Sequence, residues 1–209
     1  MLKVGLTGGY ASGKSFVALC LEQLGCRIIY ADKLGHQVLE PSGEAYLPTL
    51  EAFGSVILAP DRRIDRKKLA AVVFADPERL QALNSIVHPA VFHLEEDELA
   101  AWYTSHPTGI AVVEAAILIE TGRYATFDRL IVTLCTRETQ IARAMQREGV
   151  TREQALARIE RQLPAEEKAR YAHYVINTDG TEEQTTQQVN EIYNELKKLA
   201  EAGSPGGSQ

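Results

Sequence analysis

The sequence predicts an α/β fold on a parallel, five-stranded sheet, and three observations lead there. Short apolar runs that read as buried strands alternate with segments of helical periodicity. The first such run, Leu2-Lys3-Val4-Gly5-Leu6-Thr7, passes directly into Gly8-Gly9-Tyr10-Ala11-Ser12-Gly13-Lys14-Ser15, a G-x-x-x-x-G-K-[ST] pattern. Helical spacing of apolar residues then starts at once, from Ser15 to Leu24. Strand, glycine loop and helix in this order are the context of a phosphate-binding loop. The expected architecture is therefore a doubly wound sheet of the P-loop NTPase type.

The elements follow in order. Gly25 suits the end of the first helix, and Cys26-Arg27-Ile28-Ile29-Tyr30 reads as a second strand ending at Ala31-Asp32. A short helix is expected up to Glu40, stopped by Pro41-Ser42-Gly43. Residues 44–107 are mostly helical in pattern. Tyr46 to Phe53 is one helix, and Arg66 to Phe74 a second, after an irregular stretch from Pro60 to Asp65. Asp76 caps a third with Pro77 at its first position. That helix is expected to end near His88, because Pro89 restricts the residue before it, and a fourth to run from Pro89 to about Tyr103. This block is too long for a simple crossover and is expected to be a substrate-binding insertion. Ile110 to Glu114 and Asp128 to Leu134 read as the third and fourth strands. Helices follow from Glu138 to Glu148, stopped by Gly149, and from Arg152 to Gln162. Tyr174-Val175-Ile176 is the fifth strand. Thr181-Glu182-Glu183-Gln184 is a capping box. It opens a helix with Val189, Ile192, Tyr193, Leu196 and Leu199 on one face. The expected organisation is one domain, 1–200: a nucleotide-binding core (1–32, 108–136, 171–200), a helical insertion (33–107) and a helical lid (137–170). A Gly/Ser-rich tail, 201–209, is expected to be disordered.

Composition narrows the function classes. At 209 residues, 45% hydrophobic and 24% charged, the chain fits an ordinary globular enzyme. A net charge of −6 argues against a nucleic-acid binder that relies on bulk positive charge. Cys20, Cys26 and Cys135 are odd in number and sit in or beside apolar runs, as free thiols in a reducing compartment do. No apolar run approaches the roughly 20 residues that span a bilayer, and the N-terminus goes straight into a strand rather than a secretory signal. The expected location is cytoplasmic, with neither membrane nor nucleic acid as partner.

The loop states its chemistry. Its glycines let the backbone curl until successive N–H groups face a phosphate, and the helix behind adds the positive end of its dipole. The nucleotide-binding set is thus Gly9, Tyr10, Ala11, Ser12, Gly13, Lys14, Ser15 and Phe16. Lys14 carries a charge to the β and γ phosphates of a nucleoside triphosphate, and the Ser15 hydroxyl can ligate Mg²⁺; the plain reading is a glycine-rich turn that closes a strand onto a helix.

Beyond the loop, each candidate has a plain reading beside the functional one. Asp32, at the carboxyl end of the second strand, is placed to hold an acceptor hydroxyl; as a bare residue it also reads as a helix N-cap. Residues 137–170 hold seven arginines, with Gln140, Arg143 and Arg147 on one helical stripe. They read either as a salt-bridged, solvated helix pair or as a lid over the transferring phosphoryl group. Glu114 reads as a Mg²⁺ carboxylate acting through water, or as a buried strand-end acid. Asn177 reads as a base contact or a turn residue. His88 either touches substrate or packs at a helix junction.

Several motifs in order resemble the dephospho-CoA kinase family. Gly5-Leu6-Thr7-Gly8-Gly9 leads into Ser12-Gly13-Lys14-Ser15, and Ala31-Asp32 is similar to the end of the family's D-A-D motif. Ile64-Asp65-Arg66, Val73-Phe74, Leu83-Asn84 and His88-Pro89 match its helical insertion. Gln140, Arg143 and Arg147 match its Q-x-x-R-x-x-x-R motif, and Arg158, Gln162, Lys168 and Val175-Ile176-Asn177 complete the set. The resemblance spans about residues 2–195. It implies transfer of the ATP γ-phosphoryl group to the 3′-hydroxyl of dephospho-CoA. It implies Asp32, Lys14, Arg143 and Arg147 as catalytic residues, with Arg147 and Asn177 also on the nucleotide. Asp32, Arg66 and His88 would meet the substrate, and Ser15 and Glu114 the metal. The expected assembly is a monomer or weak homo-oligomer. The chain departs from the family pattern at Tyr30 (for the first Asp of D-A-D), Phe16 (for Thr), Glu114 (for Asp) and His173 (for Asp). The alternative is a kinase of the same class acting on another small acceptor, such as a nucleoside monophosphate. A GTPase is disfavoured by the lack of an N-K-x-D motif.

Overall fold

The computed structural model describes residues 1–73 and 76–202. Phe74, Ala75 and residues 203–209 lie outside the described residues. With them go the expected end of the second insertion helix, the Phe74 half of the Val73-Phe74 match and most of the expected tail. The last helix continues through Ala202, two residues into the segment expected as tail.

Five parallel strands form one sheet: β1 (Leu2–Gly8), β2 (Arg27–Tyr30), β3 (Ile110–Glu114), β4 (Arg129–Leu134) and β5 (Tyr174–Asn177), in the order β2-β3-β1-β4-β5. β1 lies between β3 and β4, with Leu6 opposite Glu114 on one side and Ile131 on the other. Val4, Leu6, Ala111, Val112, Val113, Ile131 and Val132 are fully buried. Strands covered on both faces have no polar side to present, so their apolar runs are continuous. From β1 the chain goes to β2 and β3 on one side, then to β4 and β5 on the other. The carboxyl end of β1 is thereby a topological switch point, where open α/β sheets collect ligands.

Nine α-helices are present among the described residues: α1 (Lys14–Gln23), α2 (Ala31–Gln37), α3 (Tyr46–Phe53), α4 (Arg66–Val73), α5 (Pro77–Ser105), α6 (Arg137–Glu148), α7 (Arg152–Ile159), α8 (Ala165–Ala169) and α9 (Glu182–Ala202). The chain divides into two compact units, Met1–Ile29 with Tyr103–Gln209, and Tyr30–Trp102.

In the first unit, α1 buries Val17, Ala18 and Leu21 and packs against α9, which buries Val189, Ile192, Leu196 and Ala200. The Thr181–Gln184 capping box forms in both directions, at 3.0 and 3.3 Å. A second box, Thr151 with Gln154, opens α7. Gly149 ends α6 at φ 65°, a left-handed angle that glycine adopts without strain. The five-residue α8 is absent from the sequence-based expectation; it is too short to show a period.

In the second unit, Ile57, Leu69 and Val73 form a buried cluster, with Phe53, Ile64, Leu80 and Leu83 packed against it. Asp76 caps α5 as expected, accepting from the Glu78 and Arg79 N–H groups at 2.9 and 3.4 Å. The expected break at Pro89 does not occur, and α5 is continuous from Pro77 to Ser105. An interior proline costs a helix about 3 kcal/mol or more. Buried Ala90, Val91, Glu95 and Leu99 beyond it hold the helix in place, so tertiary packing overrides the local signal.

Cys20 and Cys26 are buried free thiols as expected, and burial pushes the Cys26 thiol up to about 12. Cys135 is half-buried.

Candidate active site

The loop from Gly8 to Ser15 leaves the carboxyl end of β1 and runs into α1. A side chain at Gly8 would collide with Thr133 and the Ser12 hydroxyl, so the tight passage between β1 and β4 requires glycine. Ser12 and Thr133 share a buried hydroxyl–hydroxyl bond at 2.7 Å. Gly13 is the N-cap of α1 at φ 85°, with no side chain capping the helix. The first turn of α1 therefore carries the open, positive helix end that phosphate sites use. Phe16 N–H already bonds Gly13 O at 3.1 Å within that turn. Lys14 Nζ donates to Gly8 O at 3.2 Å and Gly9 O at 2.9 Å, so its ammonium lies across the loop's own carbonyls.

The tip of the loop is docked on α6 and α7. Ala11 takes φ 56°, unusual for a residue with a side chain. Its methyl is buried with Ile141, Ala144 and Ala155, against Tyr10, Val150, Leu156 and Ile159. Gln140 Nε2 donates to Tyr10 O at 2.8 Å. The Tyr10 hydroxyl donates to Glu148 at 2.7 Å and accepts from Arg158 at 2.8 Å. Burial, then the bond to Glu148, pushes the Tyr10 hydroxyl up. Glu148 also pairs with Arg147 and Arg158. The Arg147 bond is the main cause that holds its carboxyl down at about 2, with Tyr10 next.

Of the two arginines expected at the transferring group, Arg143 donates to the Thr178 hydroxyl at 2.9 Å and to the Thr178 carbonyl. Thr178 in turn donates to Ser12 O at 2.9 Å, linking Arg143 to the loop through one hydroxyl. Arg147 is half-exposed and paired with Glu148. Arg137 pairs with Glu160, and Arg152 clasps Glu138 with two bonds of 2.9 and 2.7 Å. The salt-bridged helix pair is thus present as geometry, with Arg137, Arg147, Arg152 and Arg158 paired to interleaved glutamates. Lys168, matched by motif, is fully buried, donating to Ala116 O at 2.7 Å and Glu120 at 2.8 Å.

Glu114 ends β3 and is buried. Ser15 is exposed in the first turn of α1. A hydroxyl and a carboxylate are hard oxygen donors that suit Mg²⁺, which takes few protein ligands and keeps water and phosphate oxygens in its shell. Among the described residues, no group of three or more His, Cys, Asp or Glu could hold a metal ion by itself. Asn177 ends β5, and its side-chain oxygen accepts from Asp179 N–H at 2.8 Å, closing the expected turn. Together with Asp179, Gly180, Gln184 and Gln188 it lines an open groove. His173, at a position of departure, accepts from Leu130 N–H at 3.1 Å through Nδ1, pairing β4 where an acid stands in the family pattern.

The acceptor-side candidates sit in the second unit. Asp32 is exposed in the first turn of α2, whose N-cap is Tyr30. Asp32 is therefore inside the helix and does not cap it. Tyr30, at another of the departures, carries Lys33 Nζ 4.1 Å from its ring centroid. Arg66 opens α4 and donates to His36 Nε2 at 2.9 Å. His36, one helical turn after Asp32, escaped the sequence reading. His88 is half-buried on α5, 6.1 Å from the Phe92 ring, and burial pushes its imidazole down.

Sequence reasoning also missed Thr133, Thr178 and Asp179, the last of which accepts from Thr136 N–H at 2.9 Å. Thr133 alone left a signal, as a polar residue inside the apolar run 130–134.

A family model described as dephospho-CoA kinase matches residues 2–184. A dephospho-CoA kinase of Geobacter metallireducens is 43% identical over 195 residues, covering 93% of this chain and 96% of that one. Among solved structures, TT1252 from Thermus thermophilus superposes with a TM-score of 0.81 at 31% identity, covering 93% of this chain and 97% of its own. Dephospho-CoA kinase from Campylobacter jejuni gives a TM-score of 0.71 at 26% identity, covering 94% and 98%.

Proposed function

The chain belongs to the dephospho-CoA kinase family, and on that premise we propose that it transfers the γ-phosphoryl group of ATP to the 3′-hydroxyl of dephospho-CoA, giving CoA and ADP. The match across residues 2–184 carries the reading, because it takes in the phosphate loop, Asp32, His88-Pro89 and the stripe of Gln140, Arg143 and Arg147 together.

The roles follow from chemistry. The loop from Gly9 to Phe16 holds the ATP phosphates with its backbone and Lys14. Asn177 meets the base from the groove beside β5. Asp32 orients the 3′-hydroxyl and takes its proton as the oxygen attacks the γ-phosphorus. The bond from that phosphorus to the β–γ bridging oxygen breaks, and the electron pair leaves with ADP. Lys14, Arg143 and Arg147 face the charge that spreads over the transferring group. Ser15 and Glu114 would hold Mg²⁺, Glu114 through water, and the ion would supply neutralisation of the phosphate charge. Residues 33–107 form the CoA-binding insertion, with Arg66 and His88 as substrate contacts. Residues 137–170 form the lid on the core of 1–32, 108–136 and 171–200.

Among the described residues, no helix is long and apolar enough to cross a membrane. The chain acts in the cytoplasm, as a monomer or weak homo-oligomer, on a small-molecule substrate. The test is an ADP-release assay with dephospho-CoA, nucleoside monophosphates, shikimate and water as acceptors. Release is expected to be fastest with dephospho-CoA; a faster rate with any other acceptor overturns the reading.

A further inference from the structure

Arg66 and His36 form a pair whose chemistry fixes the state of both. A guanidinium has only donors, so the 2.9 Å bond from Arg66 Nη1 requires a lone pair on His36 Nε2. The imidazole is therefore neutral, with its proton on Nδ1. His36 lies on α2 four residues after Asp32, and the residues of such a pair share a helix face. One face of the second unit thus carries a carboxylate, a neutral imidazole and a guanidinium. The charged groups bearing on His36 are Arg66 from α4, which opposes its protonation, and Asp32 from its own helix, which favours it.

The acceptor supplies the other half of the argument. Dephospho-CoA has a free 3′-hydroxyl, a neutral adenine and a neutral pantetheine arm. Its negative charge is all on the internal diphosphate. A guanidinium that meets this acceptor through charge meets the diphosphate, for which its planar fork is suited.

We propose that His36 is a positioning residue for the acceptor: by accepting from Nη1 it holds Arg66 so that the remaining donors of the fork engage the diphosphate of dephospho-CoA. This rests on the function proposed above. Protonation of His36 removes the lone pair and places a cation against Arg66, so the hold is lost as pH falls. Burial and Arg66 move that loss below the ordinary imidazole value of 6.5. The diphosphate stays ionised throughout that range, so the acceptor itself adds no such dependence.

The test is steady-state kinetics of the full chain with dephospho-CoA and ATP from pH 5.5 to 8. His36→Leu is expected to raise KM for dephospho-CoA about three- to tenfold, the loss of one exposed charge-assisted hydrogen bond. KM for ATP and kcat should stay within about twofold of wild type. In the wild type, KM for dephospho-CoA should rise toward pH 5.5. His36→Gln, which keeps an acceptor and does not titrate, should restore the neutral-pH KM and make that rise shallower, leaving only what other groups such as His88 add. An unchanged KM for dephospho-CoA in His36→Leu, or an acid rise in His36→Gln as steep as in the wild type, overturns the inference while the proposed function stands. A wild type that phosphorylates nucleoside monophosphates and ignores dephospho-CoA overturns both.

Discussion

The Tyr10 hydroxyl donates to Glu148 Oε2 at 2.7 Å, joining the tip of the phosphate loop to the last residue of α6. Arg158 of α7 donates to the same hydroxyl, so three segments distant in sequence meet at one phenol. Tyr10→Phe keeps the ring, over which the Arg158 guanidinium sits at 5.4 Å, and removes both bonds. A loss of about 1 kcal/mol in urea unfolding is expected, the usual net worth of such bonds. An unchanged midpoint would show that the pair contributes nothing.

Glu148 makes the stability depend on acid. Its folded carboxyl is held down to about 2, first by Arg147 and then by Tyr10. A depressed carboxyl stabilises the fold above its unfolded value near 4.5 and loses that contribution as pH falls toward 2. Glu148→Gln should therefore melt below wild type at pH 6, and the gap should narrow as pH falls from 5 to 2. Thermal melts at constant ionic strength read this directly; a constant gap refutes it.

Lys168 and Glu120 form an ion pair in which the lysine is fully buried. Lys168→Ala removes one partner and opens a cavity, so a loss of about 3 kcal/mol is expected in denaturant unfolding. Lys168→Met, which refills the volume, should be the milder change. Equal stability of Lys168→Ala and wild type would contradict the pairing.

Lys14 lies across the carbonyls of Gly8 and Gly9 within the phosphate loop. On the proposed mechanism Lys14→Ala is expected to lower kcat on the order of a hundredfold or more, since it would remove a preorganised charge from the transferring group. Circular dichroism should show the fold retained. Near-normal kcat would remove the lysine from the mechanism.

Asp32 sits exposed in the first turn of α2, and in the role proposed for it, as the acceptor's proton partner, it is expected to govern kcat. Asp32→Asn should lower turnover about 10²- to 10⁴-fold while equilibrium binding of ATP is unchanged. A variant that turns over normally sinks the assignment.

Much of this was legible in the chain. Glycine spacing, the apolar runs and the Thr181–Gln184 box are local features, and local sterics and hydrogen bonding decide them. Pro89 shows the limit: the local rule against interior proline is sound, yet burial on the following turns outweighed it. His36 was invisible for another reason. Nothing within α2 marks it; its meaning comes from Arg66, thirty residues on.

The sequence by itself determined the phosphate loop and the identity of Lys14, Ser15 and Asp32 as candidates, because each depends on neighbours a few residues away, and the alternation of apolar strands with helices pointed to the parallel sheet. Only the tertiary structure decided what the charged side chains are paired with. It set Arg147 on Glu148, Arg143 on Thr178 and Arg66 on His36. A charge reads the same in any sequence, and its partner is fixed by which distant segments the packed core brings within hydrogen-bonding distance.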